Sequence, residues 1–596
     1  MTESSKLAQV LIAVATVCAL FLAMDSLRIF GGAQILSDWI RLETHYFFAL
    51  LGALLPLVFI VFPRWRYVDA LLGFAVFAVC IYFFGQAVPI VDEGWEFAAP
   101  QLPTIMSIVL WVLLLEAVRR AGGWSLFGIA LTFSLMPLVS GSLPGPFAGL
   151  TSTLAETAVY HALSIESIFG LPFRAFANLV IGFLFFGIAL QFTGGGRFFL
   201  DLAFALLGHV RGGPAKVAIV SSGLMGSMSG SVVTNVLTTG QMTIPAMKQA
   251  GMDPETAAGV EACASTGGVL LPPIMGSTAF VMATFLEIPY YQVALSATLP
   301  ALLYFTGLFL QVDANAAVNG LAGIARDRLP VLRVVIKEGW HYLGAFALLI
   351  FLLVFMQREA IAPYFATAAL IGLNQMTKAH RWDWAKSFDF LVATGKLLIE
   401  ILAVLAGVGL IVGALSITGL AGTLVNDLLF IAGDNVWLLL MMGALTSFVL
   451  GIGMTVTAAY IFLAVILAPA LVSEGLNPMG VHLFILYWAM LSFITPPVAL
   501  GAYAAASIAG ANPMRTGFRA MRLGSIIYFI PFLFVVDTGL LLQGGIVTIM
   551  LSLGRALLAI WLITAGLQGY LLGVGLLKPW FLRVAVVAAG IVVALI

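Results

Sequence analysis

The chain has 596 residues, of which 62% are hydrophobic and 9% charged, with 27 Lys and Arg set against 27 Asp and Glu. A soluble globular domain carries about a quarter charged residues, so a soluble enzyme and a nucleic-acid-binding protein are both excluded. Apolar runs of spanning length recur throughout and the ten-residue alternating segments of a barrel are missing, so the chain reads as a polytopic, all-α membrane protein.

The first predicted spans lie at about 7–24, 46–62, 69–89 and 104–122. The run Leu7–Met24 has no convincing small-residue cleavage site, so it is expected to remain as a span. Basic residues mark cytoplasmic loops. Arg64 and Arg66 follow the second span and Arg119 and Arg120 the fourth, whereas Asp92, Glu93 and Glu96 follow the third. The pattern places the N-terminus in the cytoplasm and makes 1–123 an even, four-span unit. A fifth span, about 124–142, ends outside by parity. A span near 175–192 returns, and 197–209 is too short to cross and is expected along the interface.

Arg211 and Lys216 precede the apolar run 217–247 and Lys248 follows it, so both ends read as cytoplasmic and the run as a re-entrant hairpin turning at 226–231. The run 256–287 crosses outward but is interrupted between Gly267 and Pro273. A span at 290–311 comes back to Arg326, Arg328, Arg333 and Lys337. Spans near 339–356 and 361–376 lead to Lys378, Arg381, Lys386 and Lys396, and a span at 397–416 exits. The run 436–470 is flanked by Asp434 and Glu474 with no Lys or Arg, so it reads as a second re-entrant hairpin, entering from outside. The run 481–510 breaks at Thr495-Pro496-Pro497 and lands on Arg515, Arg519 and Arg522; spans near 523–542, 547–567 and 580–596 close the chain.

The two hairpin regions share their punctuation. Pro245, Pro254, Pro272, Pro273 and Pro289 recur as Pro469, Pro478, Pro496, Pro497 and Pro513, each 224 positions later (254 to 478, for example), and Gly251 matches Gly475 at the same distance. Thr193-Gly194 and Gly208 recur as Thr418-Gly419 and Gly433, 225 positions on. Single glycines and prolines merely kink or pack membrane helices, but matched sets in two halves mark a duplication. One copy enters from the cytoplasm and the other from outside, so the expected fold is an inverted repeat with two re-entrant hairpins and two broken helices. Repeat one covers about 175–311 and repeat two about 397–542, with hairpins and broken helices at 215–287 and 436–510. The core is 124–545, and 546–596 adds further spans. Gly/Pro-interrupted segments in matching positions are the sequence mark of a secondary transporter's binding site.

Two successive prolines end a helix, and in lipid the freed backbone groups must line a cavity or hold something. Half-helix N-termini suit anions and freed carbonyls suit Na⁺. The first hairpin tip adds hydroxyls and an amide, and the second adds Gly451, Gly453, Thr455 and Thr457. Candidate solute contacts are Ser229, Ser231, Asn235, Thr238, Pro272, Thr455, Thr457 and Thr495. Candidate Na⁺ ligands are Ser227, Gly230, Gly267, Gly268, Gly451, Gly453, Thr495 and Pro496. The competing reading of each hydroxyl is back-bonding to its own helix.

The segments 211–216 (Arg-Gly-Gly-Pro-Ala-Lys), 226–231 (Gly-Ser-Met-Ser-Gly-Ser) with Asn235 and Thr238-Thr239-Gly240, 264–268 (Ala-Ser-Thr-Gly-Gly) and 271–276 (Leu-Pro-Pro-Ile-Met-Gly) carry a resemblance, completed by 280–283 and 288–290. From Gly194 to Val293 the chain resembles the large membrane subunit of tripartite ATP-independent periplasmic (TRAP) transporters. More narrowly it is similar to the TAXI branch, whose permeases fuse the small and large subunits. The resemblance implies an elevator-type fold of the ion-transporter-superfamily kind, with the N-terminal four-helix unit as added scaffold. It implies coupling to Na⁺, or else H⁺, with no other cofactor. It further implies a periplasmic TAXI-type substrate-binding protein as partner, a small organic anion such as a carboxylate as substrate, and the bacterial or archaeal inner membrane as location.

Within the spans, Glu261 is a candidate coupling residue, the alternative being a helix-end carboxylate paired with Lys248 or facing water. Glu116 reads as an intrahelical partner of Arg119 and Arg120, Glu400 as a partner of Lys396, and Asp537 as facing outside water. Trp65, Tyr67, Trp437 and Tyr487 read as interfacial anchors. Cys18, Cys80 and Cys263 form neither a disulfide framework nor a zinc pattern, and the histidines make no i,i+4 pair. The chain carries no phosphate-binding loop and no catalytic motif, so it is not expected to be an enzyme. The remaining alternative is a stand-alone dicarboxylate–sodium symporter that needs no binding protein.

Overall fold

The computed structural model describes residues 6–376, 381–433 and 435–595; Lys378 and Asp434, used above as flanking charges, lie outside the described residues. Apart from a two-residue strand pair, Tyr570–Leu571 with Gly575–Leu576, every regular element described is helical. Ten of the described helices are long and apolar enough to cross a membrane.

The first four crossing helices are Lys6–Ser26, Glu43–Val61, Tyr67–Gly85 and Gln101–Ala121. Arg120 ties the third to the fourth by pairing with Asp69 at 2.6 Å and with Glu116 at 2.8 Å. The unit packs along Trp384–Thr418, a helix of 35 residues. At 1.5 Å per residue that helix is about 52 Å long, well beyond the hydrocarbon thickness of about 30 Å. Between helices in lipid there is no hydrophobic gain from association, so close approach depends on small residues. Gly407 provides it: a Cβ there would lie 2.5 Å from the Val118 side chain of the fourth crossing helix.

The central segments fold as two helical hairpins, each followed by an interrupted helix. Gly213–Ser229 and Val232–Gln249 form the first hairpin, Val436–Gly453 and Val456–Ser473 the second. The interrupted helices are Pro254–Gly268 with Ser277–Phe285, and Pro478–Met490 with Leu500–Ala509. Val232–Gln249 and Val456–Ser473 begin and end 224 positions apart (232 to 456, 249 to 473). Gly195–Leu207 and Leu420–Ala432 begin and end 225 apart (195 to 420, 207 to 432). The helix over 420–432 was missing from the sequence reading, because its apolar run merges with the span before it.

Other boundaries differ as well. The expected span over 523–542 is instead Ser525–Val536, bent by 68° from Pro513–Leu523 and followed by a 3-10 turn at Thr538–Leu541. Gly524 and Pro531 account for the loss of a continuous rod. The last helix, Trp580–Leu595, has 16 residues and packs back on Ile546–Gln568; it is shorter than the roughly 20 residues a crossing needs.

Candidate solute and ion site

The first hairpin turns in two residues. Gly230 takes φ +63°, which only glycine adopts freely, and Ser231 caps the second arm by accepting from the Thr234 N–H at 3.4 Å. Ser227 donates back to the Leu224 carbonyl at 2.8 Å, and among the described residues Ser229 meets only the backbone of Ser231, at 3.4 Å. Thr238 is exposed and donates to the Thr234 carbonyl, one turn back along its own helix. Ser227, a predicted ion ligand, and Thr238, a predicted solute contact, thus donate their hydroxyls to their own helices.

Asn235 does turn inward. It is fully buried, and its amide nitrogen donates to the Ser222 carbonyl at 2.7 Å while its amide oxygen has no partner among the described residues. It sits beside the crossing of the first arm and the broken helix, where the main chains almost touch: a Cβ on Gly226 would be 2.8 Å from Gly268 Cα and 2.9 Å from the Asn235 amide nitrogen. An orphaned amide oxygen at a backbone crossing is a ligand-type group.

Both interruptions are real breaks. After Gly268 the chain runs through a cis Pro272–Pro273 bond and Met275 at φ +61° before helix resumes at Ser277. After Phe493 it runs through a cis Pro496–Pro497 bond and Ala499 at φ +38° before Leu500. The expectation of free carbonyls needs correcting, however. Gly267 and Gly268 carbonyls accept from Leu270 and Leu271 N–H at 3.0 and 3.1 Å. Tyr290 donates its hydroxyl to the Pro273 and Ile274 carbonyls, and Tyr503 to that of Pro497. Tyrosines supply the donors that water cannot supply in a bilayer. Thr495 is also engaged, with Tyr528 at 2.5 Å. Pro272 is half-buried in the first break, and Pro496 lies against Gly517, whose added Cβ would be 2.7 Å from the ring.

The second tip is built like the first. Gly453 ends the incoming arm, and Thr455 caps the outgoing arm by accepting from Ala458 N–H at 3.3 Å. Gly451 lets the arm approach the broken helix, a Cβ there lying 2.6 Å from the Ala489 carbonyl oxygen. Thr457 leaves its own hairpin and bonds Ser277 at 3.1 Å and Thr278 at 2.8 Å, at the start of the helix after the first break. The reciprocal contact exists: a Cβ on Gly501, after the second break, would be 3.0 Å from Val232 of the first hairpin.

Glu261 is fully buried and does not pair with Lys248, which donates instead to the Ala509 carbonyl at 2.7 Å. Its carboxylate accepts from Ser222 at 2.7 Å, Thr239 at 2.6 Å, Thr243 at 2.5 Å and Ser265 at 3.2 Å. Ser222 and Thr243 were not singled out by the sequence, and Ser265 figured there only within the 264–268 motif. Spacing offered a partial signal, since Thr239 and Thr243 are i,i+4 on one helix face and Ser265 is i+4 from Glu261.

Five other assignments are settled by the packing. Glu116 does pair with Arg119 and Arg120. Glu400 forms no ion pair with Lys396 among the described residues; the two are merely neighbours on one helix. Asp537 does not simply face water: it pairs with Arg555 and accepts from Ser552 at 2.9 Å. Tyr487 is fully buried, so it is no interfacial anchor, while Trp65, Tyr67 and Trp437 are exposed. Arg211 and Lys216, read above as loop markers, both pair with Asp313 of Tyr290–Asn319, and Lys216 is buried.

The family model for the DctM component of the tripartite ATP-independent periplasmic transporter matches residues 109–549. The chain belongs to that family. This permease is 26% identical over 371 residues to the C4-dicarboxylate TRAP transporter large permease protein DctM of Pseudomonas aeruginosa, covering 60% of this chain and 83% of the relative. It is 27% identical over 371 residues to the isethionate TRAP transporter permease protein DctMQ of Oleidesulfovibrio alaskensis, covering 61% of this chain and 57% of that one. Over 168 residues it is 27% identical to the sialic acid TRAP transporter permease protein SiaT of Haemophilus influenzae, covering 28% and 24%. These relatives are transport permeases, not enzymes, and TRAP permeases are multi-span inner-membrane proteins that work with a periplasmic substrate-binding protein. Residues 6–108, which include the first three crossing helices, precede the matched region.

Proposed function

We propose that this permease drives uptake of a small organic anion, a carboxylate, with an ion gradient, Na⁺ being the favoured coupling ion and H⁺ the alternative. A TAXI-type binding protein delivers the solute from the outside. The chain fuses a small-subunit-like unit, 1–123, to a large-subunit-like core, 124–545, with its N-terminus in the cytoplasm. The two hairpins and broken helices are inverted copies that move together against a scaffold formed by the first four spans and Trp384–Thr418. The observation that carries this reading is the crossed pairing of the two halves. Thr457 of the second hairpin bonds Ser277 and Thr278 behind the first break, and Val232 of the first hairpin lies against Gly501 behind the second. Such pairing supports a single body of two hairpins and two breaks.

The buried amide oxygen of Asn235 beside the Gly226–Gly268 crossing supports an ion position there, since hard cations take neutral oxygen ligands. Glu261, four hydroxyls around it, is the coupling candidate. A membrane potential supplies about 2.3 kcal/mol per charge per 100 mV, so co-transport of two Na⁺ with a monovalent anion gains energy from the potential without ATP. A carboxylate substrate is supported by the C4-dicarboxylate named for the relative from Pseudomonas aeruginosa. The test is uptake of labelled carboxylates into proteoliposomes with the cognate binding protein: gradient-dependent, saturable counterflow upholds the reading, and equal uptake without the binding protein favours a stand-alone symporter.

A further inference from the structure

A cavity of about 690 Å³ lies outside the transport site, lined by Asp253, Glu255, Arg515, Phe518, Arg519 and Arg522. Its basic wall is one helix, Pro513–Leu523, and its acidic wall is the start of Pro254–Gly268. Arg515, Arg519 and Arg522 recur at i, i+4 and i+7, so they share a helix face. No ion pair joins them to Asp253 or Glu255 within 4.0 Å among the described residues.

The existing partners leave most of this charge unspent. Arg522 donates to the Leu567 carbonyl at 2.9 Å, at the C-terminal end of Ile546–Gln568, where Arg583 also donates. The guanidinium groups of Arg515 and Arg519 have no hydrogen-bond partner among the described residues, and both residues are exposed. Asp253 uses one carboxylate oxygen to cap Thr256 at 2.9 Å, and the Glu255 carboxylate makes no hydrogen bond among the described residues. Phe518, between the arginines, is 58% exposed, and Met514 is 43% exposed. An apolar ring set among guanidinium groups, on a helix that follows a run of apolar helix, is the side-chain combination suited to lipid headgroups.

We propose that this cavity holds a zwitterionic phosphoethanolamine headgroup, its phosphate on Arg515 and Arg519 and its ammonium on Glu255 and Asp253. Guanidinium forks match phosphate oxygens bidentately, and an ammonium, with three N–H donors, matches carboxylates where a quaternary choline does not. The same chemistry is available from a membrane phospholipid or from soluble phosphoethanolamine; Phe518 and Met514 favour the lipid.

Purified full-length permease in detergent is incubated with vesicles of dioleoyl-phosphatidylethanolamine, -phosphatidylcholine or -phosphatidylglycerol, and retained lipid is counted by native mass spectrometry. The expected result is preferential retention of phosphatidylethanolamine, reduced about tenfold or more in Arg515→Gln/Arg519→Gln. Glu255→Gln is expected to keep phosphatidylglycerol and lose the preference for the ethanolamine headgroup. Arg519→Lys, which keeps the charge, is measured beside them so that a folding defect cannot pass for lost binding. Retention of soluble phosphoethanolamine itself, with none of the three lipids retained, would uphold the headgroup chemistry and assign it a soluble source. Equal retention of all three lipids, or retention unchanged in both glutamine variants, overturns the proposal.

Discussion

Thr457 on the second hairpin and Thr278 behind the first helix break share a hydroxyl–hydroxyl hydrogen bond of 2.8 Å, although 179 positions separate them. Ser277 meets the same oxygen at 3.1 Å, so one side chain fastens a hairpin to the opposite interrupted helix. Thr457→Val keeps the shape and removes the hydroxyl. We expect a stability loss of about 1 kcal/mol and a fall in uptake of about tenfold, corresponding to roughly 1.4 kcal/mol. Thermal unfolding and proteoliposome uptake check the two numbers, and wild-type values for both remove Thr457 from the coupling of the halves.

Gly268→Ala puts a Cβ 2.7 Å from the Ser222 carbonyl oxygen and 2.8 Å from Gly226 Cα, both rigid main chain. Overpacking of this kind costs about 1–3 kcal/mol, so the melting temperature should fall. Gly422→Ala is the control, because nothing lies within 4 Å of its added carbon and it gains helix propensity. Equal melting of the two variants would mean that the crossing is looser than described.

Asp313→Asn removes the only anionic partner that Lys216 and Arg211 have among the described residues, and leaves buried Lys216 unpaired. Stranding a buried charge costs about 3–5 kcal/mol. Arg211→Gln, which leaves the Lys216 pair in place, should be much milder. The contrast is read by chemical or thermal unfolding, and equal losses would mean that Lys216 is solvated.

Glu156 gives a pH signature outside the spans. It closes a capping box with Thr153, accepting from the Thr153 N–H at 2.7 Å, and that bond holds its carboxyl below the ordinary carboxylate range. A depressed folded-state pKa contributes stability above the unfolded value and loses it as pH falls through the folded one. Wild type and Glu156→Gln should therefore differ in melting at neutral pH and converge below the ordinary carboxylate range. A difference that persists in acid would place the effect elsewhere.

How far the sequence carries depends on what kind of feature it records. Proline and glycine act through the backbone, so Pro272–Pro273 and Pro496–Pro497 announced the breaks from spacing alone. The hairpin turn at Gly230 was legible for the same reason. Hydroxyls are less informative, because Ser and Thr can bond either their own helix or a neighbour. Ser227 and Thr238 took the first course and Thr457 the second, and only three-dimensional packing separates them. The caps on the free carbonyls were invisible too: Tyr290 lies 17 residues from Pro273, and nothing in an apolar run marks which aromatic turns its hydroxyl inward. Charge position alone does not reveal whether a cation is buried. Lys216 satisfies the rule for a cytoplasmic loop and yet sits against Asp313 inside the protein.

Buried Asn235, its amide oxygen unpartnered among the described residues and beside Gly226 and Gly268, is where an ion position is most directly tested. The decisive measurement is the melting temperature of detergent-solubilised permease across a Na⁺ titration, with K⁺ at matched ionic strength. A ligand that binds only the folded state stabilises by about 2.7 kcal/mol at a hundred times its Kd. The expected result is a saturable rise with Na⁺, none with K⁺, and a blunted response in Asn235→Ala. An unchanged melting temperature across the titration, with a proton gradient alone driving uptake, would contradict it.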